Sequence, residues 1–209
     1  MLLFLVLCPI AAAVLIIAGA PARLTALVAA ISNLFVTLLL LSRFDQVAAG
    51  FQFVSSLVVS ADWRIHFAFG VDGLSLLMLL LATSVSVAAV WFAGRINNYE
   101  SAFYACLLFI SAGAIGAFAS IELFFFYAFH ELALIPTFLL IGIWGTGNRS
   151  AAAWKITIYL TLGSFVLLIG LILLYQSVPA AARTFDIREL QAAITANPIA
   201  APAQRHIYL

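Results

Sequence analysis

Long uncharged, apolar stretches alternate with polar connections along the whole chain. Each stretch is close to the ~20 residues that an α-helix needs to cross a ~30 Å hydrocarbon layer. The pattern predicts six transmembrane helices, at about residues 2–20, 24–41, 73–94, 101–121, 123–143 and 152–175. The predicted fold class is therefore all-α, a polytopic membrane protein.

Two connections are long enough to hold small elements outside the bilayer. Residues 63–69 alternate in polarity, which predicts a short strand leading into a turn at 70–73 and favours a small extramembrane hairpin. Asp72 is placed to cap the third helix through the free amide hydrogens of its first turn. The mixture of charged and apolar positions in residues 184–196 predicts an amphipathic interfacial helix. Residues 1–175 are thus predicted to form the transmembrane bundle, and residues 176–209 an extramembrane segment.

Composition excludes a water-soluble domain and several kinds of site. Hydrophobic residues make up 66% of the chain and charged residues 8%, against roughly 25% charged in soluble domains. This hydrophobic composition makes the bilayer an expected partner. The net charge is only +1 and there is no basic cluster, so nucleic acid is not an expected partner. Cys8 and Cys106 lie inside apolar runs without ligand spacing, so we expect no disulfide, zinc or iron-sulfur site. The glycine-rich residues 145–150 are interpreted as a turn.

The basic residues of the short loops predict how the chain is oriented. Arg23, Arg95 and Arg149, with Lys155, fall on one side, which the positive-inside rule assigns to the cytoplasm. The N-terminus is then expected outside the cytoplasm. The first apolar run lacks a preceding basic residue and is long enough to span, so we interpret it as a retained helix rather than a signal peptide.

Glu131 is the most informative residue of the sequence. It lies near the middle of the predicted fifth helix, where insertion of a carboxylate costs about 2.5 to 3.5 kcal/mol. Acids at such depth usually face a bundle interior or a water path, and desolvation allows them to bind and release protons near neutral pH. Glu131 is therefore predicted to be functional, and the structural alternative is a neutral side chain hydrogen-bonded to a neighbouring helix.

Four residues near Glu131 are predicted to support it. Pro136 has no amide hydrogen, so it leaves the carbonyl of the residue after Glu131 without a helical partner and invites a kink. Tyr127 lies one turn before Glu131 and is placed to donate a hydrogen bond to it. His130 is either a proton relay or a packed ring. Glu122 lies on the opposite face, and we interpret it as favouring the positive end of the fifth helix two residues after an N-cap at Ser120.

Lys155 is the second charged candidate within an apolar run. Near the start of the sixth helix it lies only about 5 to 8 Å deep, where a lysine can snorkel to the surface. Glu131 is roughly 18 Å deep on the same side, too far for a direct ion pair. A water path lined by Tyr159, Thr157 and Thr161 is the predicted connection.

Three motifs carry a resemblance to a known family. They are FGVDGLS at 69–75, ELFFFYAFHELALIPT at 122–137, and IGIWG at 141–145. With them the chain resembles the antiporter-like subunits of respiratory complex I, most closely subunit M, called subunit 4 in mitochondria. The resemblance is clearest from residue 69 to residue 175.

The resemblance implies a proton-translocating subunit of the membrane arm of NADH:quinone oxidoreductase, in a bacterial inner membrane or another energy-coupling membrane. In that family Glu131 matches the acid needed for proton translocation, and Lys155 a commonly basic position. NADH, flavin, iron-sulfur clusters and quinone are handled by other subunits, so this chain is expected to carry no redox centre. The family usually has Trp or Phe where His130 stands.

Family members have about fourteen helices, and the seventh would begin near residues 204–209. The resemblance therefore implies that the chain forms an incomplete antiporter-like fold.

Two other hypotheses for the function stay open. One keeps the fold but assigns it to a multisubunit cation/proton antiporter or a membrane-bound hydrogenase, which neighbouring genes would distinguish. The other is a fragment that packs against partners without transporting anything.

Overall fold

A computed structural model describes residues 1–48, 50–60, 65–94, 96–179 and 183–196. Within these ranges the chain forms eight helices and one two-stranded hairpin: α1 (Leu2–Ile17), α2 (Ala22–Arg43), β1 (Gln52–Ser60), β2 (Ile65–Val71), α3 (Gly73–Ala93), α4 (Glu100–Ala119), α5 (Leu123–Leu132), α6 (Leu134–Trp144), α7 (Arg149–Ser177) and α8 (Ile187–Ala196). Residues 204–209, where the family resemblance implies that a further helix begins, lie outside the described residues.

Five helical segments are long and apolar enough to cross a membrane. They are α2, α3, α4, α7, and α5 with α6 as one continuous 22-residue span, Leu123–Trp144. The apolar α1 is shorter, at 16 residues, where the sequence predicts a helix to about residue 20. The predicted all-α, multi-pass membrane class is confirmed.

The packing of α1 on α2 includes a polar contact that proline creates. Pro9 lies inside α1, so the carbonyl of Leu5 lacks the amide hydrogen that would bind it in a regular helix. The buried Asn33 of α2 fills that place, because its Nδ2 donates to the Leu5 oxygen at 2.9 Å. A polar side chain on one helix therefore satisfies the backbone of its neighbour within an apolar interface.

α4 lies at the centre of the bundle and packs against α1, α2, α3, α5 and α6. Its glycines allow α5 to approach closely, because small residues let neighbouring membrane helices pack tightly. A Cβ added at Gly113 would lie 2.8 Å from the carbonyl oxygen of Phe129, and one at Gly116 would overlap the Phe129 ring. Phe129 is buried in the core cluster under the hairpin. The position of α5, and hence of Glu131, depends on these glycines.

The hairpin is larger than the sequence predicts. β1 pairs antiparallel with β2, and β1 has no counterpart among the predicted elements. Gly70 and Val71 belong to β2, so the predicted turn at 70–73 is wrong at its first two positions. Gly70 is closely packed in the strand instead, because a Cβ there would lie 3.2 Å from the Ile121 side chain. Trp63 and Arg64, part of the predicted strand, lie outside the described residues.

One predicted cap is confirmed, and one predicted turn is confirmed in part. Asp72 caps α3, with its Oδ1 accepting the Ser75 amide hydrogen at 2.7 Å. Residues 145–148 form the turn between α6 and α7, in which Gly147 has a φ of +67°. The predicted turn at 145–150 is too long, because Arg149 and Ser150 begin α7. The indole of Trp144 donates to the Asn98 carbonyl at 2.9 Å and joins this turn to the α3–α4 loop. These loops lie at the same end of the bundle.

Candidate functional site

Glu131 points from α5 towards α7. It is the ninth residue of the 22-residue span Leu123–Trp144, which places it near mid-membrane. The hydroxyl of Ser164, on α7, donates a hydrogen bond to its Oε1 atom. Its side chain is 35% exposed in this chain, so one side of the carboxyl meets a neighbouring helix and the other remains open.

Two further polar groups adjoin this carboxyl. The Tyr127 hydroxyl lies 3.1 Å from Ser164 Oγ, so the tyrosine reaches Glu131 through the serine. His130 Nδ1 lies 3.5 Å from Glu131 Oε1, and its ring lines a cavity of about 320 Å³ between α4, α5, α6 and α7. Tyr127 lines a separate apolar cleft of about 320 Å³ between α5 and α7. The acid is thus joined to groups that border two different cavities.

The helix carrying Glu131 is interrupted directly after it. α5 ends at Leu132 and α6 begins at Leu134. Leu132 is four residues before Pro136, so its carbonyl is the one that Pro136 is predicted to leave without a helical partner. Pro136 is buried, and the Thr137 hydroxyl donates to the Ala133 carbonyl at 2.7 Å. The interruption leaves backbone polarity beside Glu131 at membrane depth, as irregular backbone does where it borders a cavity.

Lys155 does not meet Glu131. It is exposed on α7, nine residues before Ser164, which corresponds to about 13.5 Å along the axis and the opposite helix face. Tyr159 is 75% exposed, so it does not line the α5–α7 interface. Thr157 and Thr161 share the face of Ser164 by helical spacing. Thr157 and Thr161 are therefore the polar positions that precede Ser164 on this face of α7.

Glu122 is the N-cap of α5, and it is fully buried. Its Oε2 accepts the Phe125 amide hydrogen at 2.9 Å. The predicted N-cap at Ser120 is wrong: Ser120 follows the last residue of α4 in an extended conformation. Residues 120–122 form a short extended segment, in which Ser120 is bridged to Phe69 of β2 and Glu122 to Asp186. Extended backbone here leaves Glu122, rather than Ser120, to accept the first amide hydrogens.

Burial changes the titration of the Glu122 carboxyl, which lies just outside the membrane span. Burial raises its pKa to about 7, although the Phe125 amide hydrogen bond opposes this and the nearby Asp186 adds to it. Among the described residues its Oε1 atom has no hydrogen-bond partner. Burial also raises the pKa of Asp186, but hydrogen bonds from Arg188 outweigh it and hold that pKa below 3.8. The two acids thus titrate in separate pH ranges.

The described ranges contain no group of three or more His, Cys, Asp or Glu side chains arranged to hold a metal ion. The chemistry that this arrangement supports is proton binding: an acid at membrane depth, hydroxyl groups on the facing helix, and an imidazole beside it.

Comparison with known proteins shows which family the chain is similar to. Residues 120–204 match the family described as NADH:quinone oxidoreductase/Mrp antiporter, TM. Subunit M of the NADH-quinone oxidoreductase of Rhodobacter capsulatus is 38% identical over 161 residues, which cover 74% of this chain and 30% of that subunit. This chain belongs to the antiporter-like membrane subunits.

Solved structures show the same fold. A chain of respiratory complex I from Thermus thermophilus with bound NADH superposes with a TM-score of 0.83 at 24% identity, covering 100% of this antiporter-like chain and 42% of the other. A chain of the Mrp complex from Dietzia sp. DQ12-45-1b gives a TM-score of 0.75 at 24% identity, covering 99% and 39%. The antiporter-like chain thus spans about a third of the length of the curated relative and about two-fifths of these chains.

Sequence reasoning missed Ser164, the residue of α7 that contacts Glu131. A serine within a long apolar run carries no distinct signal, because small polar residues are common in membrane helices. The available signal is its spacing from Thr157 and Thr161, seven and three residues earlier, which places three hydroxyls on one face of α7. This spacing does not say which neighbouring helix that face meets.

Proposed function

We propose that this chain is the part of an antiporter-like subunit that binds and releases protons within the membrane arm of an NADH:quinone oxidoreductase. Quinone reduction on other subunits would supply the energy, and Glu131 is the group that carries the proton. The chain's own contribution is then proton transfer, with NADH, flavin, iron-sulfur clusters and quinone on partner subunits.

The observation that carries this proposal is the environment of Glu131. A carboxyl at mid-membrane is costly unless protein or water receives it, and here α7 offers Ser164 to it. The helix break at Ala133 and the cavity beside His130 give it polar backbone and space nearby. These features allow the acid to alternate between charged and neutral forms, which a purely structural glutamate does not need.

Lys155 has an indirect part in this proposal. Because it lies about 13.5 Å from Ser164 on the opposite face of α7, it contributes its positive charge near one end of the helix rather than a direct ion pair. His130, 3.5 Å from the carboxyl, is the nearest group able to exchange a proton with it.

We also propose an orientation in an energy-coupling membrane, with a bacterial inner membrane as the setting. Arg23 lies in the first turn of α2 and Arg149 begins α7. Both are at the end of the bundle where Trp144 is hydrogen-bonded to Asn98. Basic residues in short loops favour the cytoplasm, so this end is cytoplasmic. The hairpin and α8 then lie on the opposite side.

The test is Glu131→Gln in the full-length subunit within its assembled complex. Gln keeps the shape and hydrogen bonds of the side chain but cannot bind or release a proton. Because a positioned acid or base contributes about 100-fold or more to proton transfer, we expect proton uptake by proteoliposomes to fall to background per quinone reduced. Proton uptake and quinone reduction are measured on the same preparation.

Glu189→Gln is the matched control, since Glu189 is exposed on α8 and the same charge is removed away from the span. It should leave proton uptake unchanged. Normal pumping by Glu131→Gln would refute the proposed role.

A second candidate is cation/proton exchange. It is favoured by the family match, whose description includes Mrp antiporters, and by the fold of the Mrp complex chain. Sodium-dependent proton movement without quinone reduction would support it over the first proposal.

A further inference from the structure

Ser164 is an unusual residue on α7. This 29-residue helix is largely exposed, and among its described residues only Ala153 and Ser164 are buried. Ser164 is 2% exposed, although its neighbours Gly163 and Phe165 are exposed. A hydroxyl buried at membrane depth requires a partner, and the partner here is the Glu131 carboxyl.

The Ser164 hydroxyl contacts two groups but has only one hydrogen. A hydroxyl donates once and accepts through two lone pairs. When Glu131 is ionised, Ser164 donates to its Oε1 and accepts the hydrogen of Tyr127, 3.1 Å away. When Glu131 is protonated, the carboxyl donates to Ser164, and Ser164 donates to Tyr127. Rotation of two hydroxyl groups therefore keeps all three residues hydrogen-bonded in both charge states.

The other neighbour of the carboxyl cannot replace this contact. His130 Nδ1 is 3.5 Å from Glu131 Oε1, which is long for a hydrogen bond. His130 also belongs to α5 and moves with Glu131, so it does not fix the carboxyl relative to another helix. Ser164 does, because it is on α7.

We propose that Ser164 is a positioning residue for proton transfer, which keeps the Glu131 carboxyl directed at α7 in both its ionised and protonated forms. Tyr127 completes the arrangement by accepting or donating the second hydrogen bond. This inference rests on the proposed function of Glu131, since positioning matters only if the carboxyl changes its protonation state.

The experiment compares Ser164→Ala with Ser164→Thr in the full-length subunit within its complex. Alanine removes the hydroxyl and threonine retains it. A hydrogen bond to a charged group is commonly worth a factor of about ten or more, so we expect about a tenfold loss of proton uptake per quinone reduced for alanine and near wild-type uptake for threonine. Ser177→Ala is the matched control, because the Ser177 hydroxyl bonds its own helix at the Leu174 carbonyl.

Infrared difference spectroscopy gives a readout that a packing role would not change. The carboxylic C=O band of Glu131 is identified as the one lost in Glu131→Gln. Hydrogen bonding weakens this bond, so Ser164→Ala should move the band to higher frequency, and Ser164→Thr should leave it in place. Tyr127→Phe should move it in the same direction by a smaller amount, and it provides the test if Ser164→Ala does not assemble.

The outcomes separate the two proposals. If Glu131→Gln abolishes proton uptake while Ser164→Ala and Tyr127→Phe leave both the uptake and the band unchanged, Glu131 keeps its role and the positioning inference is wrong. If Glu131→Gln pumps normally, the proposed function itself fails.

Discussion

Replacing Glu122 by Gln should make the protein more stable at neutral pH. The folded chain buries this carboxyl completely, and burial raises its pKa from 4.5 to about 7. An unfolded chain releases the proton near 4.5, so between these values the folded state binds more protons. The free energy of unfolding of the wild type therefore falls as pH rises through this range.

The size of the effect follows from the same two values. One pKa unit corresponds to about 1.36 kcal/mol, so ionised Glu122 destabilises the fold by at most about 3 kcal/mol above pH 7. Glutamine carries no charge, and its side-chain oxygen can still accept the Phe125 amide hydrogen that the carboxylate accepts. For a chain of this length, 3 kcal/mol corresponds to about 6 to 12 °C in Tm.

The assay is thermal unfolding of the purified protein in one detergent, followed by tryptophan fluorescence from pH 5 to pH 8. We expect the Tm difference between Glu122→Gln and wild type to grow with pH and to level off above 7. Asp186 does not interfere, because its pKa lies below 3.8 and its contribution is lost only at more acidic pH. Glu100→Gln, in the first turn of α4, is the control. A Tm difference that stays constant from pH 5 to pH 8 would refute the reasoning.

Two further predictions concern packing and orientation. Gly116→Leu should displace the Phe129 ring, which a Cβ at this position already overlaps, and should lower the free energy of unfolding by about 1 to 3 kcal/mol. The control is Gly163→Leu, because a Cβ at Gly163 meets open space. Equal melting temperatures for the two variants would contradict the packing of α4 on α5. Gly147→Cys tests the orientation in a variant whose Cys8 and Cys106 are replaced by Ala. Its thiol should react with a membrane-impermeant maleimide only in inside-out vesicles, and labelling in intact cells would contradict the proposed orientation.

The local sequence determined the helices and the position of the central acid. Apolar runs of span length predict the membrane helices because backbone groups in lipid must be satisfied within each segment. Glu131 is recognisable because a charge in such a run is costly. Pro136 marks the interruption next to it, since a missing amide hydrogen acts four residues back along the same helix. Asp72 is likewise recognisable as the N-cap of α3, because its carboxylate accepts an amide hydrogen only three residues further along the chain.

The tertiary structure decided which groups surround that acid. Ser164 is 33 residues from Glu131, and no local periodicity says which face of α7 meets α5. Glu122 becomes the cap of α5 because β2 and the segment around Asp186 hold residues 120–122 extended, a pairing between distant parts of the chain. Asn33 likewise completes the backbone that Pro9 leaves open in another helix. Local rules determine where a helix forms and breaks, whereas the contacts of its side chains depend on packing between residues far apart in the sequence.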